Sequence, residues 1–343
     1  MVSRLHYREL TVKEYDIYAI GNALVDTEIE VSDEDLTRFG IEKGFMTLVD
    51  EDRQVELTKL LANHLTASRR ASGGSACNTI IAASYFGAKT FYSCKLAEDD
   101  NGAFYLNDLE RAGVDYLPEF ASNQGTSGKC LVLITPDAER TMNTYLGISA
   151  TIDAQQIHAP AVTNAKYAYL EGYLASSDVA TDACLQIKAL AKQAGTKVAL
   201  TFSDPSMVNY CRDNLVKIIG DGVDLLFCNE TEAMDFTGAD NPEAAIAELK
   251  KIAGQFVLTQ GAEGALAFDG DSLHKIEAHS VQPKDSNGAG DLFAGAFLYA
   301  ISHGHTFAEA GKLASLASAQ LVTQFGPRLS PEQYDDIRAR SWG

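Results

Sequence analysis

The sequence predicts an α/β fold, a central and mainly parallel sheet with helices on both faces, joined by a small additional β-sheet. Three observations lead there. The middle of the 343-residue chain alternates strand-length apolar runs with helix-length runs, which implies a parallel sheet covered on both sides. Two glycine-rich turns, around Gly73-Gly74 and around Gly288-Ala289-Gly290, each open directly onto a helix-length apolar run. Two pairs of short strands precede the alternating region and interrupt its rhythm.

Composition narrows the class. The chain is 46% hydrophobic and 22% charged, and its 8 prolines argue against long disordered tracts. A net charge of −19 excludes the basic stripe that a nucleic-acid partner needs. The six cysteines form no C-x-x-C pair, so neither a zinc site nor a thioredoxin-like motif is indicated, and they read as reduced core residues of a cytoplasmic protein. The segment Met1 to Arg8 lacks the apolar core of a secretory signal, and no run approaches the roughly 18 uncharged residues of a membrane helix.

Taken in order, residues 15–21 (YDIYAIG) read as a buried strand entering a turn. Asn22 and Asp26 lie just past its carboxyl end, which in a parallel sheet faces the ligand crevice. Asp26 also reads as a turn residue capping local backbone. Short strands follow at 27–31 and 44–49, with a polar helical segment at 32–39 between them. Ser72-Gly73-Gly74-Ser75-Ala76-Cys77-Asn78 then leads into a helix through 80–86, exposing amides at its start. Asp99 and Gly102 punctuate a strand-to-helix turn. The second short pair is 127–135 and 140–146, joined by a turn at Pro136 to Glu139.

Strands are then expected at 166–170, 197–202 and 224–228, with helices at 178–194 and 207–219. Polar residues at the strand ends are Glu171, Ser203-Asp204 and Asn229-Glu230-Thr231-Glu232. Asn229 and Glu232 have the spacing of a capping box. Residues 255–259 form another strand, and Gln260 to Gly264 begin a glycine-rich hairpin with strands at 265–268 and 272–276. Asp285-Ser286-Asn287-Gly288-Ala289-Gly290-Asp291 opens onto the apolar run 292–300. Unpaired amides at that helix start, with the macrodipole behind them, make an anion site. Asp291 is a carboxylate in a phosphate nest, where its charge suits a base that accepts a hydroxyl proton. His303 and His305 read as surface residues beside a helix end, and 308–323 reads as a last helix rich in small residues.

The heptad DSNGAGD resembles D-T-x-G-A-G-D, the signature of the ribokinase-like (PfkB) carbohydrate and nucleoside kinases, with Ser286 in place of the usual Thr. GNALVD, GGSACN, NETE and TQGAEG resemble further motifs of that family, in the family's order, from about Tyr15 to Pro331. The resemblance implies a ribokinase-like fold in a single domain over 1–343, with a lid from about 25–50 and 124–147. It implies transfer of the γ-phosphate of ATP to a primary hydroxyl of a nucleoside or sugar. Asp291 is then the base, and the amides of Gly288, Ala289 and Gly290 the anion hole. Asn22, Asp26, Gly73, Gly74 and Asn78 are expected to bind the acceptor. Asn229, Thr259, Gly261, Gly264, Ala314 and Ser318 are expected to bind the nucleotide, with Glu232 placing a hydrated Mg²⁺. A monovalent cation such as K⁺ beside Asp285 belongs to the same expectation, as does a monomer or homodimer. In detail, GNALVD, TYLG, LFCNETEA, LTQG and DSNGAGD are most similar to the branch that phosphorylates adenosine. A free sugar of the ribose or fructose type is the alternative acceptor, and a non-catalytic nucleotide-binding regulator the alternative function. Phe45, Met46, Cys130, Met142 and Tyr145 are candidates to touch a base.

Overall fold

The computed structural model describes residues 13–44, 46–65, 68–137 and 139–341. Its strands are β1 (Tyr15–Ile20), β2 (Leu24–Glu30), β3 (Met46–Leu48), β4 (Arg69–Gly73), β5 (Thr90–Ser93), β6 (Val114–Asp115), β7 (Gly128–Ile134), β8 (Arg140–Tyr145), β9 (Ala165–Glu171), β10 (Lys197–Thr201), β11 (Val223–Asn229), β12 (Ala253–Thr259), β13 (Ala265–Phe268) and β14 (Leu273–Ile276). The large sheet runs in the order β14-β13-β12-β11-β10-β9-β1-β5-β6, the small one β3-β8-β7-β2-β4. Every pairing from β6 to β12 is parallel, and β13 and β14 return antiparallel. The expected arrangement is therefore present. Strands such as AKYAYLE and VDLLFCN read as nearly continuous apolar runs because helices cover both faces, leaving Ala168, Leu170, Leu225 and Leu226 without exposed surface.

The helices that matter for the site are Ser75–Phe86, Ala289–Ser302 and Phe307–Leu321. The middle one packs between the other two. Small residues on its face allow a close approach. A Cβ at Gly295 would lie 2.4 Å from the Thr79 carbonyl oxygen, so any larger residue there would push the two helices apart.

After β1 the chain leaves the large sheet to build the small one. β2 pairs parallel with β7 and antiparallel with β4; β8 pairs antiparallel with β7 and parallel with β3. One face buries its own core of Ile29, Leu131 and Leu133 under Leu36, Phe39 and Leu57 from the helices Asp33–Phe39 and Glu51–Leu60. The other face looks into the crevice. Two details depart from the sequence reading. The sequence assigns no element to 69–71, because RRASG lacks the β-branched and aromatic residues that mark a strand, and the conformation of β4 comes from pairing with β2. The helix expected at 207–219 is two helices, Pro205–Tyr210 and Arg212–Ile219, and Pro205 in the first turn starts the first of them early. Among the described residues no helix is long and apolar enough to cross a membrane.

Candidate active site

Parallel strands place all their carboxyl ends on one edge of the sheet, and the site lies there. A pocket of about 300 Å³ is walled by the ends of β1, β9 and β10, by the starts of helices Ser75–Phe86 and Ala289–Ser302, and by the inner face of the small sheet. Its floor is mostly polar, with Asn22, Ser75, Asn78, Glu171 and Asp291 beside Met207. Its roof, the inner face of the small sheet, is mostly apolar, with Leu24, Met46, Leu48, Cys130, Met142 and Leu146, and also carries Asp26 and Thr144.

Asp291 stands in the first turn of helix Ala289–Ser302. Its Oδ1 accepts from Ser75 Oγ at 2.6 Å and its Oδ2 from Asn78 Nδ2 at 3.2 Å. Ser75 and Asn78 are three apart and so share one helix face. Loss of water at the pocket floor raises the Asp291 pKa to about 6, while the two hydrogen bonds and the nearby Arg328 charge pull the other way. A carboxyl so poised is a base at neutral pH. Gly288 caps the helix at φ 73°, a conformation that favours glycine, and around a Cβ built on Gly290 there is no atom within 4 Å. The amides of Gly290 and Asp291 thus border open space, whereas the Ala289 amide, expected in the anion hole, donates to the Ser286 carbonyl at 3.2 Å within the turn and is not free for an anion. Asp285, the first residue of the heptad, is buried; it accepts from the amides of Asn287 and Gly326 and pairs with Arg140 of β8 at 2.6 Å.

The expected acceptor residues gather beside Asp291. Burial raises the Asp26 pKa to about 7; Glu28 and Asp291 add to this, and Arg328 and Arg140 oppose it. A Cβ on Gly73 would sit 2.3 Å from the Asp26 carboxyl carbon, and one on Gly74, at φ 100°, would sit 2.1 Å from the Asn22 carbonyl oxygen. Gly73 therefore makes room for the Asp26 carboxyl, and Gly74 reaches the pocket itself. Asn22 Oδ1 accepts from Ser149 Oγ at 3.2 Å. Glu171 was noted in the sequence only as a polar strand end. It is fully buried and accepts from the amides of Asn22 (2.7 Å) and Ala76 (2.8 Å), clipping the end of β1 to the start of helix Ser75–Phe86. Burial raises its pKa to about 7 against the pull of those amides. A carboxylate ending the otherwise apolar run AKYAYLE was the available signal.

The expected nucleotide residues fall along the same edge, at the ends of β11 and β12. Asn229 and Glu232 form a complete capping box: Asn229 Oδ1 accepts from the Glu232 amide at 2.8 Å and Glu232 Oε2 from the Asn229 amide at 2.9 Å. Burial, and then the charge of Asp204, raise the Glu232 pKa to about 7. Among the described residues no group of three or more His, Cys, Asp or Glu is placed to hold a metal directly. One buried carboxylate fits a Mg²⁺ ion that keeps its waters and takes its other oxygens from phosphates. Thr259 Oγ1 donates to the Cys228 carbonyl at 3.4 Å, Gly261 begins the turn after β12, and Gly264 closes that turn against the Ile276 carbonyl. Ser318 Oγ donates to the Ala289 carbonyl at 3.0 Å, tying the last long helix to the heptad.

Two expectations need correction. Ala314 has no exposed surface and packs in the core, so it offers nothing to a nucleotide; Leu316, Ser318, Ala319 and Gln320 are the partly exposed residues that follow it in the helix. Tyr145 lies on the opposite face of β8 from Met142, Thr144 and Leu146, near Glu51, because side chains alternate along a strand. Phe45 lies outside the described residues.

Known proteins resemble this chain in sequence and in fold. Residues 48–333 match the sequence profile described as pfkB family carbohydrate kinase. The adenosine kinase of Saccharomyces cerevisiae is 27% identical over 92% of this chain and 97% of its own length. The crystal structure of adenosine kinase from Sinorhizobium meliloti superposes with a TM-score of 0.86 at 30% identity, covering 95% of this chain and 99% of that one. A probable sugar kinase from Rhizobium etli CFN 42 also gives 0.86 at 30% identity, covering 96% and 99%.

Proposed function

Because the chain belongs to the pfkB family of carbohydrate kinases and is an ATP-dependent phosphotransferase acting on a hydroxyl group, we propose that its acceptor is adenosine and its base Asp291. The observation that carries this reading is one pocket that joins polar groups around Asp291 and Asp26 to a cluster of apolar side chains, Leu24, Met46, Leu48, Cys130, Met142 and Leu146, from the small sheet. A free sugar presents hydroxyls on every side and gains little from such a roof; a nucleoside presents hydroxyls at one end and a flat base at the other.

In this reading the ribose lies on the floor, with Asp26, Asn22 and Asn78 within reach of its hydroxyls. The primary hydroxyl points at Asp291, whose carboxylate takes the proton as the oxygen attacks the γ-phosphorus of ATP. Ser75 and Asn78 hold that carboxylate in one orientation, so little reorganisation accompanies the transfer. The amides of Gly288, Gly290 and Asp291 stabilise the charge growing on the phosphoryl oxygens. Glu232 and Asn229 would hold Mg²⁺ through its waters, and the ion would neutralise triphosphate charge there. A monovalent cation near Asp285 would rest on backbone carbonyls, since that carboxylate already serves Arg140, Asn287 and Gly326. The small sheet acts as a lid that keeps water from the γ-phosphate. Six free cysteines, most of them buried, suit a reducing cytoplasm.

The test is ADP release with Mg·ATP against adenosine, inosine, guanosine, cytidine, ribose and fructose, with the ester product identified. Adenosine should be turned over well above the rest; a faster sugar would reassign the roof. Asp291→Asn should lower kcat by roughly 10² to 10⁴ while leaving ATP binding nearly intact, and an unchanged kcat would remove Asp291 from the role of base.

A further inference from the structure

Arg328 is a buried cation with no task in the reading so far. It follows the turn Phe325-Gly326-Pro327, the same turn whose Pro327 packs against Gly288, and its side chain is 15% exposed. The guanidinium lies along the start of helix Ser75–Phe86. Nη1 donates to Asp108 Oδ2 at 2.8 Å. Nη2 faces the carbonyl oxygen of Ser72, the Ser72 hydroxyl at 2.9 Å and Asn78 Oδ1 at 3.4 Å. That last contact has a chemical consequence. A guanidinium can only donate and a carboxylate can only accept, so Arg328 and Asp291 favour the same orientation of the Asn78 amide, oxygen toward the cation. Its nitrogen is left facing Asp291 Oδ2, 3.2 Å away, while Ser75 holds the other carboxylate oxygen.

We infer that Arg328 is a positioning residue for phosphoryl transfer, one that orients the Asn78 amide so that Asn78 and Ser75 together hold the Asp291 carboxylate in its reactive plane. The inference rests on Asp291 being the base. The surrounding charge acts in the same sense. Asp291 is faced by Tyr169 and Glu171 from β9, by Tyr173 from the turn after it and by Asp26 from β2, all neutral or acidic. Arg328 is the cation that favours the ionised form of both Asp291 and Asp26, with Arg140 helping at Asp26 only. Without Arg328 the Asn78 oxygen loses its donor, and the amide, held by Asp291 alone, can swing out of the plane it shares with Ser75 and the carboxylate.

The experiment compares wild type with Arg328→Met, Arg328→Lys, Asn78→Ala and the double variant Arg328→Met/Asn78→Ala, using Mg·ATP and adenosine. At pH 8, Arg328→Met should lower kcat roughly tenfold with the KM for ATP unchanged, the scale of one lost hydrogen bond to a charged group. The double variant should be no slower than Asn78→Ala, and the acid limb of the pH profile should move to higher pH in Arg328→Met. Additive losses in the double variant, or an acid limb that coincides with wild type, would overturn the inference by leaving Arg328 a purely structural brace. If Arg328→Met does not fold by thermal melting, Arg328→Lys decides: it keeps the charge but cannot span Ser72 and Asn78 together, so its acid limb should stay in place while kcat falls, and a wild-type kcat would overturn the inference. An infrared titration of the Asp291 carboxyl, assigned by difference against Asp291→Asn, reads the same displacement without any acceptor. If Asp291→Asn keeps its kcat, the base assignment fails, and the infrared titration still reports on Arg328 separately.

Discussion

Gly288 and Gly290 stand two residues apart and meet different demands. Gly288 holds a φ of 73°, and a Cβ there would lie 2.9 Å from the Pro327 Cβ; Gly290 has free space where its Cβ would be. Gly288→Ala should therefore cost on the order of 1–2 kcal/mol of stability through backbone strain and contact. Gly290→Ala should melt like wild type yet raise the KM for ATP about tenfold or more, because the open space over those amides is where phosphate would sit. Melting curves and steady-state kinetics check the pair, and normal ATP kinetics in Gly290→Ala would place the phosphate elsewhere. Asp291 makes a prediction in pH. Burial raises its pKa to about 6, and only the ionised form can accept a proton, so kcat/KM should fall at least tenfold per unit below that pH. An activity that persists unchanged to pH 4 would contradict this assignment.

At the scale of the element, helix Glu230–Thr237 begins with a capping box at the place proposed for Mg²⁺. The capping box is visible in the sequence because both partners lie within one turn, as Asn229 and Glu232. Asn229→Ala should cost about 1 kcal/mol in stability, read by urea unfolding. Glu232→Gln keeps an oxygen for the Asn229 amide but removes the charge, so its unfolding curve should match wild type while half-maximal activity requires more Mg²⁺. Equal Mg²⁺ dependence in wild type and Glu232→Gln would confine Glu232 to capping. β4 shows the opposite situation. Nothing local in RRASG marks a strand; its conformation is imposed by β2, and that pairing sets Gly73 against Asp26.

At the scale of the whole molecule, the small sheet is tied to the catalytic turn by Arg140 and Asp285, whose side chains are 8% and 2% exposed. Arg140→Met would strand a buried carboxylate, with an expected loss of roughly 3–5 kcal/mol in chemical denaturation and a partial recovery when Asp285→Asn is added. A loss below about 1 kcal/mol would mean that the pair contributes little to holding the two sheets together. The sequence by itself determined the parallel α/β class, the glycine turns, the cap and the candidate base, since each is written in spacings of a few residues that backbone geometry must obey. It also brought Asn22 and Asp26 to the crevice as residues just past a strand end, and Asn78 through the family resemblance. Only the tertiary structure decided what surrounds Asp291. Asn78 and Ser75 come from 213 and 216 residues away, Arg328 joins Asn78 across 250 residues, and Glu171 clips Asn22 across 149. Burial, which raises the Asp291, Asp26 and Glu171 pKa values, and exclusion, which removes Ala314 and Tyr145 from the pocket, are properties of packing from several elements at once, and no local run of residues encodes them.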